Sequence, residues 1–259
     1  MRTLIVYHRG GGKSLGYPPN SVITIKWALE NNCKAVEYDV VACRDGKSWK
    51  AVMVEPALLK QNNFDMDNLV FNDLKELDTG TEKYGKVRVS ELKEVMQIAS
   101  KYGVKQQVHI KGKNHNTVSA VVSQIEKKSG VLITSFDLEV LAKVKSNVPD
   151  IKTGWIVKPD SESGSEGSKD LTKMVSSGNE DLPAYAEEEL AEIGKRAVQN
   201  KVDAVILCAP RIGNIDVIDY FRGRGFEVGA WGVGSNLELA RKLISYKIDR
   251  FTIDNPENL

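Results

Sequence analysis

Three short apolar runs in the 259-residue chain end in pairs of side chains that can move protons, hold a metal or grip an anion. The first, residues 4–7, leads straight into His8 and Arg9; the second carries Glu37 and Asp39; the third carries His109 and Lys111. Residues two apart on a strand share a face, so Glu37 and Asp39 project together with Tyr38 behind them, and His109 projects with Lys111. Two inward-facing carboxylates are costly unless a cation or basic side chains compensate them, which points to a metal site or an arginine–lysine network. Arg9 and Lys111, with Lys13 and Lys113, would make the same locus cationic and suited to phosphate, which arginine can grip through two parallel hydrogen bonds. Two later runs end in Trp231 and Asp254. Each residue alone has a plainer reading: His8 could cap a helix, the acidic pair could be half exposed, and Lys111 could simply pair with Asp39. Whether they converge depends on the fold.

The glycines that follow Arg9, in the stretch YHRGGGKS of residues 7–14, resemble the end of a nucleotide-binding P-loop. Such a loop needs a glycine five residues before its Gly-Lys pair so that backbone N–H groups wrap the phosphates, and Tyr7 stands there. A P-loop is not expected.

The positioning elements are strand-like runs at residues 3–8, 35–41, 106–111, 131–135, 152–157, 203–207, 226–231 and 249–254, alternating with amphipathic helical patterns. Regular βα alternation argues for a parallel sheet, and at this length a closed (β/α)8 TIM barrel is the economical α/β fold. In that fold the strand ends just named lie at the C-terminal mouth, where ligands bind. Residues 43–85 break the alternation. They open on Arg44-Asp45-Gly46-Lys47, a tight-turn signal, and so predict an antiparallel hairpin insertion after the second barrel strand. A second irregular stretch, residues 158–186, holds the polar run SESGSEGS and could form a mobile lid over the mouth. The expected organisation is one domain over residues 1–259.

Composition narrows the partners. Lys and Arg number 36 against 35 Asp and Glu, a net charge of +1, so no global field draws nucleic acid or an anionic membrane. No apolar run approaches the roughly 20 residues of a membrane span, and the N-terminal run is too short for a secretory signal core. The three cysteines, Cys33, Cys43 and Cys208, fit neither a disulfide framework nor a zinc site by number and spacing. A soluble, cytoplasmic protein acting on a small molecule is expected.

In order along the chain, HRG at residues 8–10, PNS at 19–21, VEYDV at 36–40, RDGKSWKAVMVEP at 44–56, VHIK at 108–111, TSFD at 134–137, AWGV at 230–233 and TIDNP at 252–256 resemble the glycerophosphodiester phosphodiesterases, relatives of the phosphatidylinositol-specific phospholipases C. The resemblance spans nearly the whole chain. It implies a TIM barrel with a hairpin insertion, His8 as one of two catalytic histidines, Arg9 and Lys111 as phosphate ligands, and Glu37 and Asp39 as ligands of a divalent metal such as Mg, Ca or Mn. Trp231 becomes a substrate contact. Three family positions differ. The second catalytic histidine is Val54, followed by Glu55, which as the next strand residue should face the other way unless a bulge redirects it. The third metal carboxylate is His109, which weakens a hard-metal site, and the glutamate of the Pro-Glu-Asn motif is Pro19. Three readings follow: phosphodiester hydrolysis with His109 replacing the lost proton shuttle beside His8, a non-catalytic phosphodiester- or partner-binding homologue, and lyase chemistry on a phosphorylated substrate.

Overall fold

A computed structural model describes residues 2–112, 115–125, 130–158 and 182–259. Its strands are β1 Leu4–Tyr7, β2 Ala35–Asp45, β3 Ser48–Met53, β4 Ser90–Glu91, β5 Lys105–Ile110, β6 Val131–Ser135, β7 Lys152–Ile156, β8 Ala204–Cys208, β9 Glu227–Trp231 and β10 Arg250–Ile253. Among the described residues, β1, β2 and β5 to β10 form a parallel sheet that closes on itself, because β1 pairs with β10 on one side and, through Tyr7 and Val36, with β2 on the other. This is the expected (β/α)8 TIM barrel.

The helices between strands are α1 Val22–Glu30, α2 Pro56–Gln61, α3 Phe71–Leu74, α4 Leu92–Lys101, α5 His115–Gln124, α6 Leu138–Asn147, α7 Glu187–Gln199, α8 Ile215–Arg222 and α9 Leu237–Ser245. In α4 the apolar residues fall at helical spacing, and Leu92, Val95, Met96 and Ala99 are all buried against the barrel. Side-chain caps set several starts: Ser21 accepts from the Thr24 amide, Asn214 from that of Asp216, and Asn236 from that of Leu239.

The barrel interior is divided by polarity. Leu132, Ile156, Ala204 and Ile206 make a small apolar core. Near the bottom, the Arg250 guanidinium pairs with Glu227 and reaches Gln107 of β5, across the barrel from β10. Gly229 makes room for that arginine, since a Cβ there would stand 2.9 Å from Arg250 Cγ and 2.5 Å from Ile206 Cδ1. The remaining inward positions, above this core, carry the polar residues of the mouth.

The insertion is the predicted hairpin. β3 runs antiparallel to β2, with Asp45 opposite Ser48 across a Gly46-Lys47 turn in which Gly46 takes a φ of 59°. Val41, Cys43, Val52, Val54, Leu59, Leu69, Leu74 and Leu77 then form a second apolar cluster between this ribbon and helices α2 and α3. The insertion is thereby packed against the strand that carries Glu37 and Asp39. Most of the stretch read as a lid, residues 159–181, lies outside the described residues. Its end is anchored, with the Tyr185 hydroxyl accepting from the Cys208 amide at 2.9 Å.

If insertion and barrel form one cooperative domain, Leu74→Ala, which empties a fully buried position of the hairpin cluster, should cost about 2–5 kcal/mol. Urea unfolding followed by circular dichroism and tryptophan fluorescence should show one shifted transition. Two separated transitions would mark the insertion as an independent unit.

Candidate active site

Strand β1 ends at Tyr7, and the chain reverses at once: Arg9 sits in the left-handed region at φ 54° and Gly10 at φ 94°. A non-glycine residue held there costs on the order of 1–3 kcal/mol and persists only where surroundings enforce it. Gly10 is also confined sterically, because a Cβ would come within 2.6 Å of Thr24 Cγ2 on α1. The reversal leaves His8 at the mouth and directs Arg9 back onto the acidic pair of β2.

Asp39 is completely buried and is the most heavily compensated group in the site. Lys111 Nζ lies 2.8 Å from its Oδ1 and Arg9 Nε 2.8 Å from its Oδ2. The Asp39 amide donates to Asn20 Oδ1 at 3.0 Å, tying the strand to the loop that precedes α1. Burial by itself would raise the Asp39 carboxyl, but Lys111 and Arg9, followed by the two histidines, outweigh it and hold the group well below the usual carboxylate range. Burial likewise disfavours the charged Arg9 guanidinium, yet Asp39, Glu55 and Glu37 overcome that and push it further up.

Glu37 accepts from the Arg9 amide at 3.1 Å, and its Oε2 stands 4.0 Å from His8 Nε2. The other nitrogen of His8, Nδ1, lies 2.5 Å from Asp254 Oδ1. A carboxylate at that distance places a proton on Nδ1 and turns Nε2 toward the cavity. Burial would raise the Asp254 carboxyl; the hydrogen bond and charge of His8, helped by Lys13 at 3.4 Å, hold it at about 2.

His109 Nδ1 faces both acids, 3.5 Å from Glu37 Oε1 and 3.6 Å from Asp39 Oδ1. Burial first, then the Lys111 charge, lowers its affinity for a second proton against the pull of the two carboxylates. The imidazole therefore stays neutral with a lone pair to offer. The ligand atoms of Glu37, Asp39 and His109 lie within 4.8 Å of one another, close enough for one cation to touch all three, so these residues fit a divalent metal. Around them a cavity of about 470 Å³ opens to solvent, walled by Phe136 and Trp231. Those rings meet edge to face at 5.4 Å, and Trp231 is fixed by its Nε1–H donating to the Val157 carbonyl at 3.0 Å.

All seven residues named from sequence, His8, Arg9, Glu37, Asp39, His109, Lys111 and Trp231, line this cavity or, for Asp39, lie directly beneath it. Lys113 falls outside the described residues. One expectation needs correction. Val54 does not face the site: it is buried in the hairpin cluster, and the residue turned into the cavity is Glu55, whose Oε1 lies 2.6 Å from Arg9 Nη1. Strand β3 has already ended at Met53, and Pro56 opens α2. Asp254 as the partner of His8, Asn20 and Phe136 were also not assigned from sequence. Asp254 had a signal in its place at a barrel strand end; the pairing itself joins residues 246 apart and has none.

A family model for the glycerophosphoryl diester phosphodiesterase family matches residues 8–258. The chain belongs to that family. It is accordingly a phosphodiesterase-type hydrolase. Solved structures of similar fold include an Oleispira antarctica phosphodiesterase in complex with the product sn-glycerol-3-phosphate, 19% identical over 99% of this chain and 95% of that one with a TM-score of 0.75. A Thermotoga maritima glycerophosphodiester phosphodiesterase is 21% identical over 98% and 95% of the two chains, with a TM-score of 0.70. One from Agrobacterium tumefaciens is 16% identical over 98% and 97%, with a TM-score of 0.71. At such identities the likeness establishes the fold alone. No curated protein matches the chain by sequence.

The Asp254 shift fixes a pH dependence. Because the folded group titrates near 2 rather than at its ordinary 3.8, its contribution of roughly 2 kcal/mol is present above pH 4 and is lost as the pH falls toward 2. Asp254→Asn should be less stable by about that amount at pH 7, and its stability should vary less than wild type between pH 4 and 2. Thermal unfolding across that range checks this; parallel curves for the two proteins would contradict it.

Proposed function

We propose that this hydrolase acts on a small glycerophosphodiester, releasing an alcohol and a phosphomonoester. The observation that carries the reading is the placement of His8: its Nδ1 is held by Asp254 while its Nε2 faces a cavity shared with Glu37, Arg9 and Lys111. An imidazole oriented by a carboxylate is suited to pass a proton to or from a substrate oxygen, a step worth typically 10²–10⁴-fold. Arg9 and Lys111 supply positive charge for the phosphoryl oxygens, and their pairing with buried Asp39 fixes both before substrate arrives. The Phe136–Trp231 corner offers an apolar wall against the carbon skeleton.

Glu37, Asp39 and His109 are the residues that would hold a divalent cation, which when bound supplies Lewis-acid neutralisation of phosphate charge. One nitrogen and two carboxylate oxygens suit Mn²⁺ better than Mg²⁺ or Ca²⁺, which prefer all-oxygen sites. We place His109 with the ligands and not as the replacement proton shuttle, because its Nδ1 is turned toward the acids and the ring is almost wholly buried. Three buried free thiols fit a reducing compartment such as the cytoplasm. Among the described residues no helix is long and apolar enough to cross a membrane.

A binding-only homologue is the second reading, favoured by the engagement of both Arg9 Nε and Nη1 with carboxylates. Steady-state assay of glycerophosphocholine hydrolysis separates the two. Wild type should turn over with Mn²⁺ and lose activity after chelation, and His8→Ala should reduce kcat by about 10²–10⁴-fold. His109→Ala should raise the Mn²⁺ concentration needed for half-maximal rate. Tight binding without product would favour the binding reading, and a cyclic product that persists would indicate lyase chemistry.

A further inference from the structure

Hydrolysis of a phosphodiester requires two proton transfers at phosphorus: one away from the attacking hydroxyl and one onto the leaving oxygen. His8 accounts for one. Among the described residues of the cavity, most other ionisable groups are committed. Both oxygens of Asp39 are held by cations, and Asp254 is engaged by His8 and Lys13. Glu37 is buried, accepting from the Arg9 amide on one oxygen and facing His109 with the other. His109 is almost wholly buried with Nδ1 turned to the two acids and its ring packed on Phe136, and Lys111 is paired with Asp39.

Glu55 differs from all of these. Its side chain is 31% exposed, it lines the cavity, and its Oε1 pairs with Arg9 Nη1 at 2.6 Å. Its position is built by the chain around it. The Val54 amide donates to the Asp39 carbonyl at 3.2 Å, which pins this peptide to the middle of β2 while the Val54 side chain anchors in the hairpin cluster. Pro56 keeps Glu55 extended, at φ −75° and ψ 129°, on the threshold of α2. The carboxylate is thus held at the same guanidinium that would meet the phosphate.

We propose that Glu55 is the second proton-transfer residue of this site. The role rests on the phosphodiesterase reading above. In the first step the Glu55 carboxylate takes the proton of the substrate's attacking hydroxyl, that oxygen bonds to phosphorus, the bond from phosphorus to the leaving alcohol breaks, and the leaving oxygen takes a proton from the His8 imidazolium at Nε2. In the second, His8 takes a proton from water, the water oxygen bonds to phosphorus, and Glu55 returns its proton to the substrate oxygen released as the cyclic ester opens. Both side chains end as they began.

The test is the pH profile of kcat/KM for glycerophosphocholine with wild type, Glu55→Gln, Glu55→His and the double variant Glu55→Gln with Val54→His, each checked for unchanged fold by circular dichroism. Glu55→Gln should lose about 10²–10⁴-fold in kcat. Glu55→His should retain well over the Gln variant's rate, with the acidic limb of the profile moved to higher pH, since imidazole titrates about two units above a glutamate carboxyl. The double variant should not recover, because position 54 faces the hairpin cluster. A Gln variant with wild-type kcat, or one that changes KM alone and keeps the acidic limb, would make Glu55 merely a support for Arg9 and overturn the role. A wild-type protein without turnover would overturn the hydrolytic reading itself, and this role with it.

Discussion

The architecture of the mouth depends on the charge compensation of Asp39. A carboxylate with no solvent access survives inside a protein only when opposite charge and hydrogen bonds replace its water. Here the charge is matched by Lys111, just beyond the neighbouring strand β5, and by Arg9 from the reversal after β1, with the Asn20 side-chain amide from the loop before α1 donating to Oδ2 at 3.5 Å. Removing either cation would leave buried charge unmatched, so the carboxylate fixes both of those segments at once. The left-handed backbone of Arg9 follows from it, since the guanidinium reaches Asp39 only after the chain turns back on itself.

That constraint also sets the chemistry around it. With Arg9 spanning Asp39 and Glu55, and with Glu37 accepting from the Arg9 amide, cationic and anionic groups are placed before any ligand enters. Preorganised charge of this kind acts without the reorganisation that water would require. His109 stays neutral beside two carboxylates because burial and Lys111 oppose its protonation, the condition for an imidazole to act as a ligand. Below this layer lie the apolar residues Leu132, Ile156, Ala204 and Ile206 and the Arg250–Glu227 pair, whose arginine reaches the cavity-lining Gln107.

Much of this was legible in the chain itself, for identifiable reasons. Strand and helix alternation is written in periodicity, and a run such as Ala35–Asp45 is apolar enough to announce a strand while its Glu37 and Asp39 announce a site. The hairpin was legible because Asp45-Gly46 forces a turn too short for a parallel return. What escaped were features decided by distant segments or by a chain direction that changes within a residue or two. The resemblance assigns position 54 to the pocket, but Val54 lies in the hairpin cluster on the same face as Val52, and the next residue, Glu55, turns to the cavity ahead of the proline at 56. The His8–Asp254 pair arises only because barrel closure sets β1 beside β10. Phe136 and Asn20 sit in connections whose sequences carry no period, and their roles follow from packing.

Phosphorus NMR of glycerophosphocholine incubated with wild type and with Asp39→Asn tests the central claim most directly. The account predicts that wild type converts the diester resonance into that of a phosphomonoester, while the Asn variant, with Arg9 and Lys111 no longer balanced, leaves the diester unchanged. A diester that persists with wild type, or an Asn variant that converts it equally fast, would contradict the account.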